Sequence, residues 1–167
     1  MSELVIVGGF GSGKTATGVN ILRKLMAANR AVGPGAQYAI VSSSLSQLKH
    51  ATLSTFEGSF SGATGHDGAI WRNPAMADWS YQRHIAHTVS GETLAWASGH
   101  DGARSLEGGE FVAGMGDEEA LWLPEASRRF RERLRQVGYP LRCLVTVFTP
   151  QPGRNLHALH ERYSDLT

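Results

Sequence analysis

A glycine-rich segment near the start of the chain has the composition and spacing of a phosphate-binding loop. Residues 8–15 fit the pattern G-x-x-x-x-G-K-[ST] at every position. Glycines let such a loop turn tightly and point successive backbone N–H groups at a polyphosphate, which the N-terminus of the next helix also attracts. Lys14 would place a positive charge on the β- and γ-phosphates, and the Thr15 hydroxyl would ligate Mg²⁺. The predicted nucleotide-binding residues are Gly8, Gly9, Phe10, Gly11, Ser12, Gly13, Lys14 and Thr15.

The segments on either side of the loop predict the strand and the helix that phosphate binding requires. The apolar run at residues 4–7 predicts a short buried strand, and residues 14–29 predict a helix. The apolar face of this helix should be buried, and it comprises Val19, Leu22 and Met26 with Ile21 and Leu25 beside them. Because both flanks are correct, a chance glycine-rich turn is the less favoured interpretation.

Hydrolysis of a bound nucleotide requires a second, acidic segment that holds Mg²⁺ through water and polarises the attacking water. Asp117 and Glu118 are the candidates, and they follow a predicted strand at residues 111–115. We assign Asp117 to the magnesium ion and Glu118 to the role of general base or water-positioning residue. Two glycines weaken this strand, so its register is open and Glu118 with Glu119 is the alternative pair. An acidic cap on the following helix is a third interpretation.

The remaining segments alternate between predicted strands and predicted helices. Strands are predicted at residues 38–41, 83–89, 93–97 and 141–148. Helices are predicted at residues 45–60, 124–137 and 156–163, and residues 70–80 are ambiguous. Ser44 is a candidate N-cap, and Ser90-Gly91 is a hairpin signal between two strands. This alternation is typical of a three-layer α/β sheet.

Composition limits the class of protein. A chain of 167 residues with 41% hydrophobic and 19% charged residues is typical of one globular domain with its own core. A net charge of +1 gives no general signal for nucleic acid, so any DNA contact needs a local patch. The single cysteine, Cys143, cannot form an internal disulfide, and no apolar run approaches a membrane span. Because this cysteine has no partner for an internal disulfide, we expect a reducing cytoplasm, and no signal peptide is recognised before the first strand.

Arginines are concentrated in the predicted helix at residues 124–137. Its buried stripe should comprise Phe130, Leu134 and Val137. Another face carries Arg128, Arg131 and Arg135. Contact with DNA phosphates or with a neighbouring subunit is the functional interpretation, and a solvated helix face is favoured over it.

Three segments, taken in order, resemble the ATPase domain of the large terminase subunit of tailed bacteriophages. The first is the phosphate loop at residues 8–15. The second, residues 104–111, is similar to the family's Leu-x-Gly segment, and its spacing to the acidic segment favours Asp117 and Glu118 as the pair. The third, residues 145–150 followed by Gly153, is similar to the family's coupling motif.

The resemblance implies a P-loop NTPase fold of the ASCE type. This is a three-layer α/β/α sandwich with a mainly parallel central sheet, here one ATPase domain over residues 1–167. Thr149, with help from Thr146, would sense the γ-phosphate and couple hydrolysis to DNA movement. An arginine from the same chain or from a neighbouring subunit would complete the site. We choose Arg104 because it precedes the Leu-x-Gly segment, with a solvated loop cation as the alternative. The predicted catalytic residues are Glu118, Lys14 and Arg104.

The resemblance also implies partners. They are ATP with Mg²⁺, double-stranded DNA, a homo-oligomeric ring, and the portal and small terminase subunit, with no membrane, in the cytoplasm of a bacterial host. Only Met1, Ser2 and Glu3 precede the first strand, so the family's adenine-binding residues are unaccounted for. The family's nuclease domain would follow residue 167, so we expect no nuclease activity from this chain.

Two other functions share the phosphate loop. One is a small-molecule or nucleotide kinase, against which the tandem Asp117 and Glu118 argue because they suit activation of water. The other is a non-catalytic scaffold that binds nucleotide weakly, which the missing adenine segment favours. Phosphate release without an acceptor would separate the first from an ATPase, and turnover of the chain would separate the second.

Overall fold

A seven-stranded sheet is the centre of the structure, a computed structural model that describes residues 1–56, 76–80 and 82–150. The strands are β1 (Ser2–Val7), β2 (Gln37–Ser42), β3 (Met76–Ser80), β4 (Ile85–Thr88), β5 (Thr93–Ser98), β6 (Ala113–Asp117) and β7 (Cys143–Phe148). Their order across the sheet is β1-β7-β6-β2-β5-β4-β3. The first five in that order are parallel, and β4 and β3 are antiparallel to their neighbours. The sheet is therefore mainly parallel, as predicted.

One face of the sheet is covered by α1 (Lys14–Arg30), which follows the phosphate loop. Its predicted apolar face is buried, with Val19, Leu22 and Met26 at most 1% exposed. The helix lies close to the sheet at Gly18, where a Cβ would be 2.8 Å from Met115 Cε. Among the described residues, no helix is both long enough and apolar enough to cross a membrane.

The other face is covered by α3 (Pro124–Arg133), and glycines in β6 let it approach closely. A Cβ at Gly114 would lie 2.5 Å from the Phe130 ring, and one at Gly116 would lie 2.8 Å from the Trp122 ring. Every residue of β6 is buried. The two glycines, which predicted a weak strand, are thus required by the packing of aromatic rings against it.

Between β2 and β3 lies α2 (Leu45–Gln47), which continues into a π-helical segment at Leu48–Leu53. Ser44 caps this helix as predicted, since its Oγ accepts a hydrogen bond from Gln47 N at 3.2 Å. The hairpin predicted at Ser90-Gly91 joins β4 to β5, and Gly91 has a φ of 84°. The structure describes the predicted helix at 45–60 only as far as residue 56.

The structure corrects the predicted end of the arginine-rich helix. It ends at Arg133 because the next backbone groups bond elsewhere: Phe111 N donates to Arg133 O, and Gln136 N donates to Phe111 O. Val137 is consequently 74% exposed rather than buried, whereas Phe130 and Leu134 are buried as predicted. The strand predicted at 111–115 is shifted to Ala113–Asp117, and the helix predicted at 156–163 lies outside the described residues.

Several arginines in and just after α3 are paired with carboxylates. Exposed pairs join Arg128 to Glu132 at 3.0 Å and Arg135 to Glu110 at 3.0 Å. Arg131 differs, because its side chain is only 19% exposed and its guanidinium pairs with both Glu119 and Glu3. A solvated face therefore describes the outer arginines, but the prediction is wrong for Arg131.

Candidate nucleotide-binding site

The phosphate loop joins β1 to α1 and folds through two glycines in the left-handed region. Gly11 and Gly13 have φ values of 72° and 77°, which other residues rarely adopt. At Gly8 the loop is tight, since a Cβ there would lie 2.5 Å from Ser12 Oγ. Most of the loop is open to solvent, and the exposed residues are Gly9, Phe10, Gly11, Ser12 and Gly13.

Lys14 lies at the start of α1 and is only 7% exposed. Its Nζ donates to the backbone oxygen of Gly9 at 3.4 Å and lies 5.8 Å from the centroid of the Phe10 ring. The same ammonium pairs with Glu118 Oε1 at 3.0 Å. The lysine charge is therefore held between the loop and the acidic segment.

Asp117, at the end of β6, is fully buried between two hydroxyl groups. Thr15 Oγ1 donates to Asp117 Oδ1 at 3.1 Å, and Thr52 Oγ1 donates to Asp117 Oδ2 at 2.6 Å. Burial raises the pKa of Asp117 because it disfavours the charged carboxylate, while the two hydrogen bonds act in the opposite direction. The neighbouring Glu118 adds to the upward shift, and Lys14 opposes it.

Glu118 follows β6 and is bound by Thr149 as well as by Lys14. The Thr149 backbone N–H donates to Glu118 Oε2 at 2.9 Å, and Thr149 Oγ1 donates to Glu118 Oε1 at 2.8 Å. The Glu118 backbone has φ 54° and ψ 48°, a left-handed conformation that costs a non-glycine residue about 1–3 kcal/mol. Its N–H donates to Val147 O at 2.7 Å, so contacts with β7 and the residue after it hold this conformation.

Glu119, the other half of the alternative acidic pair, contacts a different part of the fold. Its carboxylate pairs with Arg131 at 2.5 Å and accepts a short hydrogen bond from Ser127, both on α3. Burial alone would lower the pKa of Arg131, but the Glu119 and Glu3 carboxylates outweigh it and raise the pKa. Asp117 and Glu118, not Glu119, therefore contact the residues of the phosphate loop.

Strand order explains why these side chains meet. β1, β7 and β6 are neighbours and parallel, so the residues that follow each strand lie at the same edge of the sheet. In register, Val7 lies opposite Phe148, and Val147 lies opposite Asp117. The loop after β1 and the carboxylates after β6 are thereby in contact, although Thr15 and Asp117 are 102 positions apart.

Thr146 and Arg104 are not brought into these contacts. Thr146 lies opposite Gly116 in register, on the sheet face of Trp122 and α3, whereas Asp117 faces α1. Its buried hydroxyl has no hydrogen-bond partner among the described residues. Arg104 begins a 3₁₀ helix (Arg104–Leu106), is exposed, and has a guanidinium that bonds no other described residue. The side chains that do meet are Lys14, Thr15, Asp117, Glu118 and Thr149.

Sequence reasoning missed Thr52, the second hydroxyl on Asp117. It lies in the π-helical segment, and nothing in the local pattern of residues 45–60 distinguishes it from an ordinary helix position. The only signal in the sequence was its place in the segment that follows β2, a neighbour of β6. Without the strand order, that signal could not be used.

The oxygens at the site suit Mg²⁺. Among the described residues, no group of three or more His, Cys, Asp or Glu side chains could hold a metal alone. Mg²⁺, however, is usually bound by one or two carboxylates together with substrate phosphates. Thr15 Oγ1 and Asp117 Oδ1 are 3.1 Å apart, close to the spacing of about 3 Å between adjacent ligands of an octahedral Mg²⁺.

Structures of a large terminase are among the solved structures that share this fold. No protein-family model and no curated protein sequence matches the chain. The large terminase from a thermophilic bacteriophage, in crystal form 2, matches with a TM-score of 0.70 and 13% identity over 99% of this chain and 38% of that chain. The complex of the same terminase with ADP matches with a TM-score of 0.62 and 15% identity, covering 90% of this chain and 34% of that one.

A third structure, the same terminase with ATP-gamma-S, has a TM-score of 0.59 and 10% identity over 99% of this chain and 44% of that chain. The chain thus spans less than half the length of the terminase chains that it matches. At such low identity the likeness establishes the fold. The chain has the P-loop α/β fold of the phage large terminases, which confirms the predicted fold class and, at the level of fold, the predicted resemblance.

Proposed function

We propose that this chain is the ATPase motor domain of a phage large terminase subunit. It would hydrolyse ATP with Mg²⁺ and couple hydrolysis to translocation of double-stranded DNA into the procapsid. The observation that carries the proposal is the contact of Lys14 and Thr15 with Asp117 and Glu118. The shared fold supports it, because a large terminase of this fold has been solved in complex with ADP and with ATP-gamma-S.

The triphosphate binds in the open loop between β1 and α1. Backbone N–H groups of the loop and the N-terminus of α1 bind the phosphates, and Lys14 moves from Glu118 to the β- and γ-phosphates. Thr15 and Asp117 hold Mg²⁺, which neutralises charge on the phosphates when bound. Asp117 is thus the carboxylate among the proposed Mg²⁺ ligands.

Glu118 acts on the attacking water. Once Lys14 has left, Glu118 Oε1 accepts a proton from water as the water oxygen attacks the γ-phosphorus and ADP departs. The backbone N–H and the hydroxyl group of Thr149 both donate to this carboxylate, so the position of Thr149 determines how the Glu118 carboxylate is oriented. Contact of Thr149 with the γ-phosphate would change that hold, which makes Thr149 the coupling residue.

Of two other predicted residues, Arg104 keeps a role in the proposed mechanism and Thr146 does not. Arg104 is exposed and its guanidinium bonds no described residue, which suits an arginine finger given to the neighbouring subunit of a homo-oligomeric ring. Thr146 has no role at the phosphates, because it lies on the other face of the sheet. Duplex DNA, the portal and the small terminase subunit remain proposed partners, in the cytoplasm of the bacterial host.

The proposal is tested by phosphate release from ATP, with and without duplex DNA and without any other phosphate acceptor. We expect release that depends on Mg²⁺ and rises with DNA. Lys14→Ala should lose nucleotide binding, whereas Lys24→Ala, which removes an exposed lysine from the same helix, should keep it. Nucleotide binding without any phosphate release would refute hydrolysis and favour the scaffold, and release only with a second acceptor would favour the kinase.

A further inference from the structure

Asp117 accepts a hydrogen bond from a residue that lies outside both the phosphate loop and the acidic segment. Thr52 Oγ1 lies 2.6 Å from Asp117 Oδ2, and both residues are fully buried. The other hydrogen-bond contact of this hydroxyl, with Ser42 Oγ, is much longer at 3.5 Å, so the single hydroxyl proton is donated to Asp117. Because both residues are fully buried, the bond is shielded from bulk solvent.

We propose that Thr52 is a positioning residue that orients Asp117 and thereby sets the Mg²⁺ affinity of the nucleotide site. The inference rests on the proposed function, in which Asp117 is the metal carboxylate. Thr52 does not touch the nucleotide or the metal. It acts through the carboxylate that it binds.

The two oxygens of Asp117 have separate partners. Oδ2 accepts from Thr52, and Oδ1 faces Thr15 Oγ1, the other proposed ligand. Rotation of the carboxylate about its Cβ–Cγ bond would break the Thr52 bond and leave Oδ2 buried without a donor, which is costly. The bond therefore keeps Oδ1 directed at Thr15.

Thr52 is itself held firmly. The π-helical segment at Leu48–Leu53 carries it, and Leu48 and Leu53 on either side are at most 1% exposed in the main core. π-Helical turns are rare and are frequently found at functional sites. Since β2 and β6 are neighbours, the segment that follows β2 reaches the end of β6, where Asp117 lies.

Partners that orient a ligating carboxylate typically change metal affinity or activity by about 10- to 100-fold when they are removed. Thr52→Val keeps the shape of the side chain but removes the donor. The measured quantity is the ratio of the affinities for a fluorescent ADP with and without Mg²⁺. In Thr52→Val we expect this ratio to be smaller than in the parent by about tenfold or more. Without Mg²⁺ its affinity should equal that of the parent, because the phosphate loop is unchanged. Thr52→Ser, which keeps the hydroxyl, should resemble the parent in both conditions.

Thr88→Val is the matched control. Thr88 Oγ1 also donates to a buried carboxylate, Glu92 Oε2 at 3.0 Å, but in β4, away from the phosphate loop. It should lose stability yet keep the parent's response to Mg²⁺. The Mg²⁺ concentration for half-maximal phosphate release is the second measurement, and it should rise in Thr52→Val alone.

A normal Mg²⁺ response in Thr52→Val, beside a parent that responds to Mg²⁺, would overturn the role of Thr52 and leave the proposed function intact. An equal shift in Thr88→Val would overturn it too, because the effect would then be general destabilisation. A parent whose nucleotide binding and turnover ignore Mg²⁺ would refute both proposals. Should Thr52→Val not fold, Thr52→Cys carries the same test, since a thiol is a weak donor.

Discussion

Replacing Glu118 by glutamine should separate nucleotide binding from hydrolysis. Lys14 Nζ and Glu118 Oε1 are 3.0 Å apart, and their side chains are 7% and 10% exposed. At an effective dielectric constant of about 20, two charges at this distance attract by about 5–6 kcal/mol, of which desolvation cancels a large part. Phosphates must draw Lys14 out of this pair, so the pair opposes nucleotide binding.

Glu118→Gln should increase the affinity for ADP by only a fraction of that attraction, because Lys14 and residue 118 remain near each other when the nucleotide is bound. Recovery of about a quarter, roughly 1.4 kcal/mol, corresponds to about tenfold tighter binding of ADP by Glu118→Gln. Turnover should fall by about 10²- to 10⁴-fold, since a neutral amide cannot accept the proton of the attacking water.

The assay combines equilibrium binding of a fluorescent ADP with single-turnover hydrolysis of ATP. Glu119→Gln is the matched control, because it removes the adjacent charge but from a carboxylate that pairs with Arg131 on α3. It should lower stability and leave ADP affinity unchanged. Weaker ADP binding by Glu118→Gln would refute the competition between Glu118 and the phosphates, and hydrolysis at the parent rate would refute the role of Glu118 as base.

Three further predictions concern stability, each measured by urea unfolding. Burial raises the pKa of Asp117 above its unfolded value, so the ionised form of this side chain opposes folding. The free energy of unfolding of Asp117→Asn should therefore exceed that of the parent by about 1 kcal/mol at about pH 8 and by little at about pH 4. An equal gain in stability at both pH values would contradict this. Gly114→Ala should lose about 1–3 kcal/mol or more, because its Cβ would meet the Phe130 ring at 2.5 Å; an unchanged midpoint would disprove the close packing. Arg131→Met should lose about 3 kcal/mol of stability, because the Glu119 side chain, which is only 3% exposed, would lose this charge partner. Adding Glu119→Gln should restore part of the loss.

The phosphate loop could be predicted from the sequence because its chemistry is local. Consecutive residues supply the glycines, the lysine and the hydroxyl, and the flanking patterns place them between β1 and α1. The acidic segment could be found for the same reason, as adjacent carboxylates after an apolar strand. The choice of Asp117 over Glu119 needed the resemblance. In the structure Glu119 is bound to α3, whereas Asp117 contacts Thr15 of the phosphate loop.

What could not be predicted depends on contacts between distant residues. The glycines of β6 indicated a weak strand because the rings that fill their space, Phe130 and Trp122, come later in the chain. The end of α3 depends on the backbone of Phe111, more than twenty residues earlier. Thr52 is significant only because β2 lies beside β6, and strand order cannot be obtained from hydrophobic patterns alone.

The position of β7 between β1 and β6 has a consequence for the growing polypeptide. Although the phosphate loop is made first, the strand that carries it pairs with β7, which is the last of the described strands to leave the ribosome. Until Cys143–Phe148 is available, β1 and β6 have no shared neighbour and Glu118 lacks its hold from Thr149. Under the proposed function, a nascent chain that stops before β7 should therefore be unable to hydrolyse ATP, so synthesis itself would delay the proposed activity until the sheet can close.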